Sequence, residues 1–150
     1  ARPFARSNWP DAALRNAVAM GNDLPGRPPG AGAPHFLLWA AKDPESVGLE
    51  RLQIIKVWAK AGDAQEKVFD VVRAGTSQGT GGAAELSAEW SDPEFDPAVP
   101  AVYYLRALEI PTPRWSTLLA SRYNLPRAPG VPATIQERAW TSPIWYTPVR

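Results

Sequence analysis

The alternation of hydrophobic and polar positions along the chain predicts short strands joined by turns. Four segments are rich in β-branched and aromatic residues and are followed closely by proline, glycine or aspartate, a pattern typical of strands. These segments are 34–41, 51–60, 66–73 and 101–110. The first is almost entirely aromatic and aliphatic, so we expect it to be a buried strand. The link between the second and the third is short, which predicts an antiparallel hairpin.

Helical patterns are limited to two short segments. Residues 11–20 begin with an aspartate and carry apolar residues at helical spacing. Residues 115–123 can form an amphipathic helix through Leu118 and Leu119. Residues 83–90 fit either a helical turn or a strand, and the pattern does not decide between them.

Prolines and glycines suggest where the folded domain begins and how it ends. The run 24–32 has the composition of an irregular linker. Pro143 predicts that the last segment, 135–146, lies at a sheet edge or contains a bulge. The sequence therefore predicts an N-terminal segment or linker over 1–33 and one domain over 34–150.

Short strands, regular turn signals and the lack of strand–helix alternation favour a mainly β fold. We expect an antiparallel two-layer β-sandwich of immunoglobulin-like type, with irregular Pro/Gly-rich loops and one or two short helices. The 17 prolines and 11 glycines among the 150 residues agree with this, because they interrupt long helices. The 7 tryptophans offer large apolar surfaces, and we expect them to build the core.

The charge and composition of the chain argue against nucleic-acid and membrane partners and against cysteine chemistry. The 16 basic and 15 acidic residues give a formal net charge of +1, so no field of one sign would attract nucleic acid or an acidic membrane. The apolar runs are too short to cross a bilayer. The sequence contains no cysteine, which excludes disulfides, thiolate metal sites and a cysteine nucleophile within it.

The candidate catalytic and metal motifs are incomplete. Residues 75–79 satisfy the G-x-S-x-G pattern, but the single histidine, His35, lies upstream of the serine, whereas that hydrolase fold needs it downstream. We interpret His35 as a hydrogen-bonded structural residue. Asp92, Glu94 and Asp96 alternate as calcium ligands would, but the glycine and glutamate of a calcium loop are missing, which favours Asp-Pro turns that cap backbone amides. We therefore expect no catalytic residue, metal or cofactor site in this chain.

Two long strings resemble the C-terminal part of the domain-of-unknown-function 3604 (DUF3604) family. They are LEIPTPRW at 108–115 and QERAWTSPIWY at 136–146. Shorter matching strings, MGNDLP, QIIKVW, EKVFDV and WSDPEFDP, begin at residues 20, 53, 66 and 90. The resemblance covers nearly the whole chain and departs from the family at 73–82, where relatives carry a longer segment.

Members of that family are much longer and resemble the polymerase and histidinol phosphatase (PHP) superfamily, whose barrel binds metals and hydrolyses phosphoester-like bonds. The resemblance implies that a catalytic barrel with a divalent metal precedes Ala1 and is the partner of this chain, in a bacterial periplasmic or secreted protein. A tail similar to Tyr103-Tyr104-x-Arg106 and 140–145 forms a β-sandwich in related metallohydrolases. None of the superfamily's metal ligands has a counterpart here, and homo-oligomerisation stays open.

The resemblance and the missing ligands together predict a non-catalytic C-terminal accessory domain of a metal-dependent hydrolase. If the domain lines the catalytic site, Arg114 would pair with an anionic group, and Trp115 and Trp140 would wall the pocket. The alternative is that these three residues only stabilise the fold. A second interpretation is a module that binds carbohydrate or a partner protein through an exposed face containing Trp9, Trp90 and Trp115. A third, an independent hydrolase, predicts activity from the chain alone.

Overall fold

The chain forms antiparallel sheets and a helix. The computed structural model describes residues 15, 17–28, 30–60, 62–75 and 81–148. The elements are β1 (His35–Ala41), β2 (Leu49–Lys60), β3 (Asp63–Arg73), β4 (Glu85–Ser91), β5 (Ala101–Glu109), β6 (Thr112–Pro113), α1 (Trp115–Tyr123), β7 (Thr134–Ile135), β8 (Arg138–Trp140) and β9 (Ile144–Tyr146). The predicted mainly β fold is confirmed, and the undecided segment 83–90 contributes most of β4.

A five-stranded antiparallel sheet forms the larger layer. Its order is β3-β2-β5-β8, and β9 also pairs with β5. The predicted β2–β3 hairpin is confirmed, with an irregular register between Leu52 and Gln53. Strand β5 is central because β2 lies on one side of it and β8 and β9 on the other.

The core lies between this sheet and a second, two-stranded sheet of β1 and β4. Because side chains alternate along a strand, each sheet contributes only one of its faces to the core. The buried residues of this cluster are Phe36, Leu38, Leu49, Leu52, Ile54, Ala83, Leu86, Ala101, Tyr103 and Tyr146. The rings of Phe36 and Tyr103 are 4.9 Å apart between centroids and join the two layers. The arrangement is consistent with the predicted two-layer sandwich.

Strand β1 is only half buried, which corrects the expectation of a buried strand. Phe36 and Leu38 face the core, whereas His35 and Trp39 are exposed. The reason is that the β1–β4 sheet is covered by the five-stranded sheet on one side only. An apolar run therefore does not show whether both faces of a strand are covered.

The last segment is divided into short strands instead of one. Pro143 lies between β8 and β9, in agreement with the predicted interruption at a sheet edge. Its carbonyl accepts a hydrogen bond of 2.8 Å from the Gly21 amide, and the Leu24 amide donates to the Trp145 carbonyl at 2.8 Å. Residues 21–24 thus lie beside β9, although the domain boundary at residue 34 stays a prediction. Of the helix predicted over 11–20, residues 11–14 and 16 lie outside the described residues, and 17–20 are not helical.

Residues 112–135 leave the sandwich as an excursion that we call the helical arm. At its base β6 pairs with β7, and between them lie α1 and a proline-rich loop. The helix has the bounds that the sequence predicts. Asn124 caps its C-terminus, because the left-handed backbone of Asn124 (φ 50°) directs the Asn124 amide to the Ala120 carbonyl. No helix in the described part of the chain is both long and apolar enough to span a bilayer.

Candidate functional site: the helical arm and the sheet margin

The helical arm exposes many large apolar side chains that no other part of the described structure covers. Within α1 only Ala120 is buried, whereas Trp115 is 73% exposed and Leu118 is 57% exposed. The exposed large apolar side chains of the arm are Trp115, Leu118, Leu119, Tyr123, Leu125 and Val131. Single exposed apolar residues are ordinary, but a group of this kind is typical of a surface that another molecule covers.

Hydrogen bonds within the arm close its base, where the start of α1 meets the residues just before β7. The Thr117 hydroxyl donates to the Ala133 carbonyl at 2.7 Å, and the Arg114 amide donates to the same carbonyl at 3.0 Å. Along its length α1 makes no extensive packing contact with any strand among the described residues. A helix of 9 residues without a packed face is marginal in water, because most helical stability in proteins comes from tertiary packing. The arm therefore lacks the support that would stabilise its helix.

The three residues predicted to bind a ligand lie on two different surfaces. Arg114 precedes α1 and is partly buried, with an Nε atom that has no hydrogen-bond partner among the described residues. Trp115 begins the helix. Trp140 lies on β8 opposite Arg106, and no hydrogen bond or ring contact in the described part of the chain joins it to the other two. The sequence prediction thus combined residues from two surfaces, the arm with Trp115 and the β8 strand with Trp140.

The second surface is the margin of the five-stranded sheet at β8 and β9. Tyr103 of β5 points into the core. Because side chains alternate along a strand, Val102 and Arg106, one and three positions away, face outward, away from β1 and β4. Trp145 pairs with Val102 and Trp140 pairs with Arg106, which places both tryptophans on this outer face. They are 48% and 56% exposed. Together with Arg138, which precedes Trp140 by two positions on β8, the residues Arg106, Trp140 and Trp145 form what we call the sheet margin.

A chain of hydrogen bonds across the outer face positions Arg106. Its Nε donates to Gln53 Oε1 at 2.8 Å, and Gln53 Nε2 donates to Asp70 Oδ1 at 2.5 Å. The Gln53 hydrogen bond is the main reason that the pKa of Asp70 lies below its ordinary value, with smaller contributions from the Arg73 and Arg51 guanidinium groups, while burial acts in the opposite direction. Arg51 and Arg73 form ion pairs with Asp70 and with Glu50. This half of the face is therefore internally neutralised.

The arginines of the sheet margin are different, because no carboxylate in the described residues forms an ion pair with either of them. Arg106 uses only its Nε within the described structure. Arg138 is exposed, and its one hydrogen bond, to the Gln136 carbonyl, is long at 3.4 Å. Two guanidinium groups beside an exposed tryptophan can pair with carboxylates while an apolar group packs on the ring.

The Asp-Pro turns contain a buried polar cluster that the sequence did not reveal. Asp92 Oδ2 lies 2.5 Å from Lys56 Nζ and accepts a hydrogen bond of 2.7 Å from the Tyr103 hydroxyl. Lys56 also donates to the Glu94 carbonyl at 2.8 Å. Burial, followed by the Asp92 carboxylate, raises the pKa of Tyr103 well above its ordinary value. The cluster borders a cavity of about 210 Å³ that Trp58 and Asp96 also line.

These turns have the capping role favoured by the sequence. Asp92 Oδ1 accepts from the Glu94 amide at 2.9 Å, and Asp96 Oδ1 accepts from the Ala98 amide at 2.9 Å. Within the described ranges, no three histidine, cysteine, aspartate or glutamate side chains form a group that suits a metal ion. The divalent metal implied by the resemblance belongs to the expected catalytic barrel and stays an expectation.

His35 makes two hydrogen bonds, as its structural interpretation expects. Its Nδ1 is 2.8 Å from Ser91 Oγ, and its Nε2 is 3.3 Å from Glu89 Oε2. Sequence reasoning missed both partners because they are distant in the chain. The antiparallel register, in which His35 pairs with Ser91, brings them together on the exposed face of the β1–β4 sheet. The serine of the G-x-S-x-G pattern, Ser77, lies outside the described residues.

The expectation that the tryptophans build the core is wrong for most of those described. Trp39, Trp115, Trp140 and Trp145 are exposed. Trp90 is partly buried, with its ring 5.7 Å from that of Phe36. Trp90 and Trp115 therefore do not share one exposed face, and Trp9 lies outside the described residues.

Comparison with known protein families supports the resemblance. The family described as "Protein of unknown function (DUF3604)" matches this chain over residues 2–80 and 72–148. No curated protein and no solved structure matches it.

Proposed function

The chain belongs to the DUF3604 family, and from that premise we propose that it is a non-catalytic accessory domain. It docks through its helical arm onto the catalytic part of a metal-dependent, phosphoesterase-like hydrolase. The observation that carries the proposal is α1, a helix of 9 residues on which only Ala120 is buried. Its other apolar side chains form a surface that a partner would cover.

The chemistry of the arm supports an apolar groove as its docking site. Helices that bind in grooves do so through apolar side chains spaced by about three or four residues. Trp115, Leu118 and Leu119 have this spacing, and Tyr123 lies four positions beyond Leu119. Tryptophan and tyrosine are also enriched among the residues that dominate binding energy at protein interfaces. The arm thus offers an apolar helix to its partner.

Docking also accounts for the residues after the helix. Leu125 and Val131, in the proline-rich part of the arm, are 58% and 47% exposed. They extend the apolar surface beyond α1. Prolines reduce the number of conformations that the loop loses on binding, so the arm is partly organised before it docks.

Hydrogen exchange tests the proposal in the product of the complete gene. The amides of α1 are expected to exchange slowly there and quickly in the isolated chain, because docking supplies the packing that the helix lacks. The double variant Trp115→Ser, Leu118→Ser should restore fast exchange in the complete protein. The matched control is Trp39→Ser, which removes a tryptophan that is 50% exposed on β1, outside the arm.

The result that contradicts docking is equal exchange of α1 in the two proteins. A complete gene that encodes no metal-binding region would contradict the hydrolase part of the proposal. Phosphoesterase activity of the isolated chain above that of the Trp115→Ser, Leu118→Ser variant would contradict the accessory role, since the arm would then take part in turnover.

A binding module is the second candidate, favoured by Trp140 and Trp145 on the sheet margin. Both rings are exposed on the outer face of one sheet, as in modules that hold a carbohydrate or a protein by aromatic contacts. This surface is separate from the arm, so it can act whether or not the arm docks.

A further inference from the structure

We infer that the sheet margin is a second interaction surface, which binds an acidic segment of a partner protein. The segment's carboxylates pair with Arg106 and Arg138, and an apolar side chain of the same segment packs on Trp140. This surface is independent of the proposed docking of the helical arm, because no residue of the arm belongs to it.

The register of β5 and β8 brings the three residues together. Trp140 is directly opposite Arg106, and Arg138 precedes Trp140 by two positions on the same face of β8. Directly opposed residues have Cβ atoms about 5 Å apart, and positions i and i+2 of a strand lie about 7 Å apart. One short segment can therefore contact both guanidinium groups and the indole ring at the same time.

Arg106 is held in place before any partner binds. Gln53, which is 6% exposed, accepts from its Nε, and Gln53 is itself held by Asp70. The remaining guanidinium nitrogens make no hydrogen bond within the described residues. An arginine that is already oriented loses less conformational freedom on binding, which favours a specific contact.

The charge of the surface indicates what the partner carries. On the β3 side of the outer face, Arg51 and Arg73 are neutralised by Asp70 and Glu50, but nothing comparable in the described structure neutralises the margin. The complementary group is a carboxylate, which pairs with guanidinium in bidentate geometry. A nucleic acid is less suited, since the chain has a formal net charge of only +1 and therefore no extended basic field.

Nuclear magnetic resonance of the whole chain with poly-L-glutamate as the probe tests this inference at low ionic strength. The indole N–H of Trp140 is expected to shift, that of Trp39 to stay in place, and added salt to weaken binding. Arg138→Gln should raise the apparent Kd about threefold, the size expected for one exposed ion pair. Arg127→Gln is the matched control, because it removes an exposed arginine in the helical arm.

Poly-L-lysine and oligothymidylate are the competing probes. No shift of Trp140 with poly-L-glutamate, an equal shift with poly-L-lysine, or an equal loss from Arg127→Gln would overturn the inference. Tighter binding of oligothymidylate would also overturn it, by assigning the margin to nucleic acid. These outcomes leave the arm untouched, because docking is measured by exchange of the α1 amides and not by the Trp140 indole.

Discussion

The sandwich and the helical arm place the same kind of side chain in opposite environments. Leu52 in β2 is 0% exposed and belongs to the core, whereas Leu118 in α1 is 57% exposed. The sandwich buries its apolar residues by packing one sheet on another. The arm keeps its apolar residues in contact with solvent, and the hydrogen bonds at its base join only residues of the arm itself.

This difference separates the part of the molecule that folds by itself from the part that awaits a partner. Burial of apolar surface is the main favourable term in folding, and the sandwich contains nearly all of it. The arm gains little from its own contacts, so its stabilisation depends on another surface. Mutations in the two regions are therefore expected to affect different measurements.

The largest effect is expected at the buried ion pair that fastens the Asp-Pro turn to the sandwich. Asp92→Ala removes the carboxylate that pairs with the Lys56 ammonium and leaves the Tyr103 hydroxyl without its acceptor, where the side chains of Asp92 and Lys56 are 0% and 7% exposed. Removal of one member of such a pair costs about 3 to 5 kcal/mol of unfolding free energy. Urea denaturation measures it. Asp96→Ala, in the second Asp-Pro step, should cost about 1 kcal/mol, and equal losses would show that burial is not the cause.

Alanine substitution of one leucine in the sandwich and one in the arm tests the difference between the two regions. Leu52→Ala should lower the unfolding free energy by about 3 kcal/mol, because it removes apolar contacts and leaves a cavity. Leu118→Ala should change it by no more than about 0.5 kcal/mol in the isolated chain. Thermal and urea unfolding of both variants provide the measurement. A large loss from Leu118→Ala would mean that the arm packs on the sandwich in solution.

The smallest effect is expected from Asp70, whose contribution to stability is present at neutral pH and is lost in acid. Because its folded-state pKa lies below the ordinary value of 3.8, the carboxylate stabilises the fold above pH 3.8, and this contribution is lost as the pH falls through the folded-state pKa. Asp70→Asn should therefore reduce the acid dependence of the melting temperature. Gln53→Met, which removes the main hydrogen-bond donor to Asp70, should reduce it in the same direction. Unchanged acid dependence in both variants would exclude this hydrogen bond as the cause.

Local patterns were sufficient for several elements. The β2–β3 hairpin, the strand β5 and the bounds of α1 follow from β-branched and aromatic runs, short links and helical spacing. The turns at Asp92 and Asp96 follow from aspartate side chains that accept hydrogen bonds from amides two residues on. These features depend on neighbours in the chain, which is why they were predictable.

The candidate surfaces were only partly predictable. Arg114, Trp115 and Trp140 were selected by residue type and resemblance, and the structure separates them because β8 and the arm are different elements. The pairing of Trp140 with Arg106 depends on the register of β5 with β8, which sequence periodicity does not specify. The same is true of Asp92 with Lys56 and of His35 with Ser91.

Residue chemistry along the chain decides that it forms short antiparallel strands with turns, since β-branched residues, prolines and Asp-Pro steps act on their own neighbourhoods. It does not decide which tryptophan is covered. Trp90 packs beside Phe36 while Trp140 and Trp115 face solvent, because exposure depends on how the layers stack and on where the arm leaves them. Packing between residues that are distant in the sequence therefore determines which apolar side chains stabilise the fold and which stay available for a partner.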